Sequence, residues 1–190
     1  MTAITKVYTF GQKVSAVAIE YQDDVDPGAL NRGTFTVSDS IYNFRFSPLE
    51  DLSKRADRTV TRIHTNDEPA IDPRGRSSER GRYIIVGLDP GDPGGNTIIR
   101  SKCSGNLCSE RINPDLPTEV IQHENIYARH RRGKILGAGG PARYPLTTKP
   151  VDVLADEFQH ERFEHSGMTV PYAFRLPEHY KPWREYPLRR

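Results

Sequence analysis

Short apolar runs on alternate positions, separated by turn-forming residues, constrain this chain more than any other feature. Over Arg82 to Leu88, the side chains of Ile84, Val86 and Leu88 face one way while Tyr83 and Ile85 face the other, which is the period of a strand. Lys13 to Tyr21 places Val17, Ile19 and Tyr21 on one face and Val14, Ala16 and Ala18 on the other, so a central strand covered on both sides is expected. Thr34 to Ser38 alternates again, with Phe35 and Val37 inward. Arg58 to Thr65 reads as a strand that pairs with Arg82 to Leu88, and Thr97 to Arg100 and Glu119 to Tyr127 are weaker strands. The acidic segment Asp23 to Gly28 is turn chemistry, Asn66 to Gly81 and Asp89 to Asn96 are polar or Gly/Pro-rich loops, and Gly137 to Lys149 reads as a loop. Ser47, Pro48 and Glu50 predict the start of one short helix running through Ala56. Crossover helices for a parallel sheet are missing, so the pattern implies an all-β antiparallel sandwich with long loops and an extended C-terminal tail.

Composition sets the size of the core. Only 35% of the 190 residues are hydrophobic, and fifteen prolines and fifteen glycines accompany a mean hydropathy of −0.68. That implies a small core with long loops and floppy ends, short of wholesale disorder. The 27 basic and 25 acidic residues leave a net charge of +2, so no long-range field marks a nucleic-acid binder. No apolar run approaches the roughly 20 residues of a membrane helix, and Met1 to Phe10 lacks the basic-then-apolar order of a signal peptide. Cys103 and Cys108 lie in a Ser/Gly/Asn-rich segment read as a loop; they either close a small disulfide in an oxidising compartment or remain two free thiols.

Several local patterns resemble chemistry and fail on spacing. Gly137, Ala138, Gly139 and Gly140 look like a phosphate loop, but Pro141 and Pro145 prevent the helix whose amides would face an anion. His160, Glu161, Glu164 and His165 bring imidazoles and carboxylates together, yet the histidines are five apart in a segment read as extended, where they point to opposite faces; a solvated charged strand explains them. Arg129, His130, Arg131, Arg132 and Lys134 form a basic stretch beside one aromatic, Tyr127, which suits an exposed hairpin turn better than base stacking. Asp89, Asp92 and Asn96 lack the spacing and closing glutamate of a calcium loop and read as turn formers. Ser77 and Ser78, between Gly75 and Gly81, do not form the Gly-x-Ser-x-Gly elbow of a serine hydrolase. No catalytic, cofactor-binding or metal-binding residue is assigned, and no cofactor is expected.

The tail supplies a further clue. Val170, Tyr172, Phe174 and Leu176 alternate as in a strand, and Pro177 to Leu188 reads as a linker leading toward another before Arg189 and Arg190. The strand is expected to lie loosely against the sandwich or to be exposed. Together, Val14 to Tyr21, then Asp26, Pro27 and Leu30, then Thr34, Phe35, Thr36 and Val37 resemble the opening of the immunoglobulin-like N-terminal domain of bacterial esterases and predicted peptidases. Thr59 to His64 followed by Gly81 to Leu88 resembles that domain's next pair of strands, with Asp39 to Asp57 and Cys103 to Pro117 as inserts. Val153, Asp156, Phe158, Met168, Tyr172, Phe174, Leu176, Pro177, Tyr180, Tyr186, Pro187 and Leu188 are similar to the approach to the family's catalytic α/β-hydrolase domain.

The resemblance implies an Ig-like sandwich over 13–127, preceded by an N-terminal segment at 1–12. A loop or linker follows over 128–157, and 158–190 would be the opening segment of a hydrolase domain. A buried strand, a His-Gly oxyanion motif and a Ser, Asp, His triad would come next, and the sequence departs from that pattern at Leu188. The expectation is a truncated, non-enzymatic module that packs on a hydrolase domain in cis, regulates access to its cleft or mediates self-association as a homo-oligomer. Family members are commonly exported, so an extracellular location is implied. The alternative is a free-standing carbohydrate-binding or adhesion module using Tyr127, Tyr144 or Trp183 as stacking platforms.

Overall fold

A computed structural model describes residues 1–41, 53–72, 80–104, 107–112, 116–144, 146–147, 150–153, 158–176 and 180–184, with 98–104 and 107–112 described by their backbone. The chain divides into two compact units, Met1–Asp152 and Val153–Arg190. Among the described residues the fold is all-β, and its helical content is a single 3-10 turn at Pro27–Ala29, capped by the Asp26 carboxylate accepting from the Gly28 amide at 3.0 Å.

The first unit stacks two main sheets. One contains β1 (Thr2–Tyr8), β2 (Gly11–Glu20), β5 (Val60–Asn66), β6 (Tyr83–Leu88) and β13 (Val151–Asp152), in the order β13-β1-β2-β6-β5. The other contains β3 (Phe35–Ser40), β4 (Arg55–Asp57), β9 (Glu119–Gln122) and β12 (Ala142–Tyr144), in the order β12-β9-β3-β4. Except for the parallel pair β1–β13, every ladder in these sheets is antiparallel. The core forms where alternate residues of both sheets face one another: Val17, Ile19, Ile84, Val86 and Leu88 meet Phe35, Val37 and Val120, closed by Tyr21, Val25 and Ile126. Removing this apolar area from water is the main force holding the sheets together.

Strand β2 is central and covered on both faces, as its sequence implies, but its two faces do not divide as strict alternation predicts. Opposite Ile4 and Thr5 of β1 stand Ala16 and Val14, so Ser15 is an extra residue, a β-bulge. The bulge turns Val14 onto the side of Val17 and Ile19, where it joins the core. A one-residue slip reverses every side chain beyond it, and the bulge confines that slip to one end of the strand.

Residues 1–12 are not a separate segment, because β1 and the start of β2 belong to the first sheet, with Ala3 in the core. The stretch expected as a loop over Gly137–Lys149 contains β12, whose Ala142, Arg143 and Tyr144 pair with Gln122, Ile121 and Val120. The helix expected through Ala56 is contradicted at its end, since Ala56 lies in β4 opposite Asp39; Ser47 to Glu50 are outside the described residues. Expected pairing of Arg58–Thr65 with Arg82–Leu88 appears as the β5–β6 ladder. Two further ribbons complete the unit: β7 (Ile98–Ser104) with β8 (Leu107–Ile112), and β10 (Ile126–Tyr127) with β11 (Ile135–Gly137). Cys103 and Cys108 therefore lie on strands, not in a loop.

Among its described residues the second unit contains a hairpin of β14 (Gln159–His165) and β15 (Met168–Phe174). Its two-residue loop has Ser166 at φ 51° and Gly167 at φ 78°, the double positive φ of a type I′ turn, whose twist suits paired strands. In this register Phe163, Met168, Val170, Tyr172 and Phe174 share one face, and Phe163, Met168, Val170 and Tyr172 are exposed. Tyr172 and Phe174 stack with ring centroids 6.0 Å apart. Ladder partners for the strand at Val170 thus come from β14.

Candidate functional site

Residues that looked capable of chemistry are mostly engaged in building the sandwich. The clearest case is Asp92, whose oxygens accept from the Thr59 amide at 2.8 Å, the Thr59 hydroxyl at 2.9 Å and Arg58 Nε at 3.1 Å. Its neighbour Asp89 caps the Gly91 amide at 2.7 Å, and Asn96 donates to the Pro93 carbonyl at 3.3 Å. This is turn chemistry organised around a buried cation.

Arg58 itself was not singled out in sequence. Its side chain is fully buried and donates to Asp39 Oδ2 at 2.8 Å, to the Val14 carbonyl from both Nη atoms at 3.2 Å, and to the Asp89 carbonyl at 3.0 Å. With the Asp92 contact, all five guanidinium donors are used. Asp39 also accepts from Thr118 Oγ1, and Lys13 donates to the Pro90 and Asp92 carbonyls. The cluster ties β2, β3 and the 89–96 turn together. Burial pushes the Asp39 carboxyl upward against the opposing pull of Thr118 and Arg58. At Asp92 burial pushes the same way, but the Thr59 and Arg58 hydrogen bonds outweigh it and hold that carboxyl below its usual value. Burial, then repulsion from Arg58, lowers the Lys13 ammonium.

A second node explains the glycine run. Gln122 is fully buried; its Oε1 accepts from Tyr21 at 2.8 Å and Tyr144 at 2.7 Å, while its Nε2 donates to the Glu124 and Ala138 carbonyls at 2.8 and 3.1 Å. Gly137 and Ala138 lie against this amide, and a Cβ on Gly137 would come within 2.9 Å of the Tyr21 ring; one on Gly139 would come within 2.7 Å of the His123 carbonyl oxygen. Gly137 and Gly139 thus allow close packing, in place of phosphate binding. Burial, followed by the Tyr144 contact, pushes the Tyr21 hydroxyl far up, so Tyr21 stays a neutral donor to Gln122.

Most of the basic stretch sits on the turn between β10 and β11, as an exposed hairpin requires. Its side chains lie against acids of the 21–25 segment: Lys134 to Asp23 at 2.5 Å, Arg131 to Asp23 at 3.7 Å and the His130 ring to Asp24 at 3.8 Å. A shallow groove of about 360 Å³ runs between these residues and Arg82, with both signs of charge on its walls. His160 and His165 fall on opposite faces of β14, which is exposed along its length. Ser77 and Ser78 lie outside the described residues. Of the three aromatic platforms, Tyr144 is committed to Gln122, Tyr127 accepts from Asn125 at 3.3 Å, and Trp183 is 81% exposed.

Sequence reading also missed the Thr36 hydroxyl, 2.7 Å from His123 Nε2 on the exposed side of the β3–β9 ladder. A hydroxyl beside an imidazole is the first half of an activated nucleophile. Among the described residues no carboxylate is paired with His123 to orient it.

His64 on β5 is another feature with no sequence signature. Neither ring nitrogen has a hydrogen-bond partner among the described residues. Burial, then the Arg62 charge, lowers its basicity; the Ile71 carbonyl and Asp72 oppose this without meeting either nitrogen in hydrogen-bonding geometry. Because the unfolded histidine, at about 6.5, holds its proton more tightly than the folded one, stability is complete above that pH and declines as pH falls through it. The urea midpoint should therefore drop between neutral and mildly acidic buffer, and His64→Gln should flatten that section of the profile.

Comparison with known proteins agrees with this geometry. The model of the esterase Ig-like N-terminal domain matches residues 1–136. The crystal structure of a thermostable esterase superposes with a TM-score of 0.73 and 26% sequence identity, over 98% of this chain. The present chain spans 44% of the length of that esterase. No curated protein matches significantly. On the strength of the match across both main sheets, the chain belongs to the family of esterase Ig-like N-terminal domains.

Proposed function

We propose that this chain is the non-catalytic module of a serine esterase or peptidase, packing on a hydrolase domain in cis and bounding access to its cleft. The observation that carries this reading is the unequal overlap with the thermostable esterase: nearly all of this chain corresponds to less than half of that one. Two features support it. The buried polar groups gathered around Arg58 and Gln122 are engaged by one another. The β14–β15 hairpin exposes Phe163, Met168, Val170 and Tyr172 on one face, beside Gln159, Glu161 and His165, and grouped exposed apolar side chains of this sort mark an interaction surface.

The chain alone should leave short-chain aryl esters unhydrolysed above the buffer rate, take up no fluorophosphonate, and behave identically as Thr36→Val. Turnover that vanishes with Thr36→Val, or with modification of any serine, would overturn the reading. Self-association is a second role for the same apolar face. A sedimentation profile independent of concentration would remove it while leaving the module reading intact.

A further inference from the structure

We propose that Cys103 and Cys108 form a disulfide across the β7–β8 ribbon, a modification site that fixes this hairpin when the protein is in an oxidising compartment. The argument is one of register. Ser104 pairs with Leu107, Cys103 with Cys108, and Lys102 with Ser109. Only two residues separate Ser104 from Leu107, so that pair must be of the hydrogen-bonded kind: the alternative would need a ladder bond between the two loop residues themselves. Pair types alternate along an antiparallel ladder, which makes Cys103 and Cys108 a non-hydrogen-bonded pair. At such pairs the Cα atoms approach to about 4.5 Å, inside the range that a disulfide spans. A shift of one residue in either strand would lose this position.

The ribbon also has use for a staple. It forms a two-stranded sheet of its own, outside both main sheets, and a two-stranded ribbon is marginal in water. No other cysteine competes within the chain. Closure follows ordinary thiol–disulfide exchange. One thiolate attacks oxidised glutathione, forming a mixed disulfide and releasing one glutathione. The second thiolate then displaces the other. Two thiols lose two electrons and two protons, and one oxidised glutathione becomes two reduced molecules. In a reducing cytosol the same equilibrium runs toward the dithiol.

Purified chain equilibrated with a glutathione redox buffer, quenched in acid, alkylated and digested with trypsin provides the test. Cleavage after Lys102 and Arg111 releases a peptide, Cys103 to Arg111, that holds both cysteines. The expected product is that peptide unalkylated and two hydrogens lighter than the dithiol. Its yield should exceed by about tenfold that from chain unfolded in guanidinium in the same buffer, because the folded register brings the thiols together. Doubly alkylated peptide, disulfide-linked dimers, or equal yields folded and unfolded would overturn the proposal. Cys103→Ser separates geometry from access. Its remaining thiol should retain one glutathione, and failure to react would show that the folded chain shields Cys108 and that this route to the bridge is wrong.

Discussion

Replacing Arg58 with alanine should destabilise the sandwich by about 3–5 kcal/mol, a large share of the roughly 5–15 kcal/mol that holds a domain folded. The effect comes chiefly from what remains behind. Asp39 is 1% exposed and would keep its charge or take up a proton without the guanidinium 2.8 Å away. The Val14 and Asp89 carbonyls would lose donors as well. Lysine at this position keeps the charge but brings three donors to a site that uses five, so Arg58→Lys should recover only a fraction of the loss. Asp39→Asn made with Arg58→Met should cost less than the sum of the two single changes, since each alone leaves an unpaired buried group. Urea unfolding of the five variants, Arg58→Ala, Arg58→Lys, Asp39→Asn, Arg58→Met and the double change, measures all of this. A loss below about 1 kcal/mol for Arg58→Ala would show that the cluster relaxes or admits water and does not anchor the turn.

Why such a node escapes a reading of the sequence is plain from its spacing. Arg58 joins Asp39, nineteen residues earlier, to Asp92, thirty-four residues later, and only the two-layer fold brings them together. Period-2 alternation, by contrast, is local, so Ile84, Val86 and Leu88 could be assigned to the core before any pairing was known. The bulge at Ser15 marks the limit of that logic, because one extra residue leaves no trace in composition and transfers Val14 to the other face. The register of Cys103 with Cys108 depends on the same kind of pairing information. The tail carries a local signal: Ser166 and Gly167 between two extended segments are a two-residue hairpin loop, legible in the sequence. The apolar stripe on that hairpin emerges only once β14 is paired with β15, because Phe163 stands among charged neighbours in the sequence and beside Val170 in the ladder. Individual polar motifs were legible mainly by exclusion. Spacing argued against phosphate and calcium sites, while the positive roles of Gln122 and Asp92 as organisers of buried bonds needed coordinates.

Gly81→Ala should rival the loss of Arg58, at about 4 kcal/mol or complete failure to fold, whereas Gly133→Ala should cost about 1 kcal/mol. Both glycines have positive φ, 143° at Gly81 and 78° at Gly133. Backbone preference therefore penalises both substitutions, and what separates them is space. A Cβ on Gly81 would lie 1.9 Å from the Asn66 carbonyl oxygen and 2.0 Å from its carbon, whereas one on Gly133 meets nothing within 4 Å. The obstruction at Gly81 is backbone, so no rotamer change relieves it. Asn66 closes β5 opposite Tyr83 in the β5–β6 ladder. On the other side, the Gly81 carbonyl accepts from Val25 at 3.0 Å and the Arg82 carbonyl accepts from Tyr21 at 2.8 Å. The strand entering β6 is thus held between the end of β5 and the 21–25 segment, and an added methyl group has to break the hydrogen bonds on one side or the other. Denaturant midpoints of the two variants isolate crowding from conformation. Equal losses would mean that the approach of Gly81 to Asn66 is not a feature of the folded chain, and that the register at this edge of the first sheet has to be redrawn.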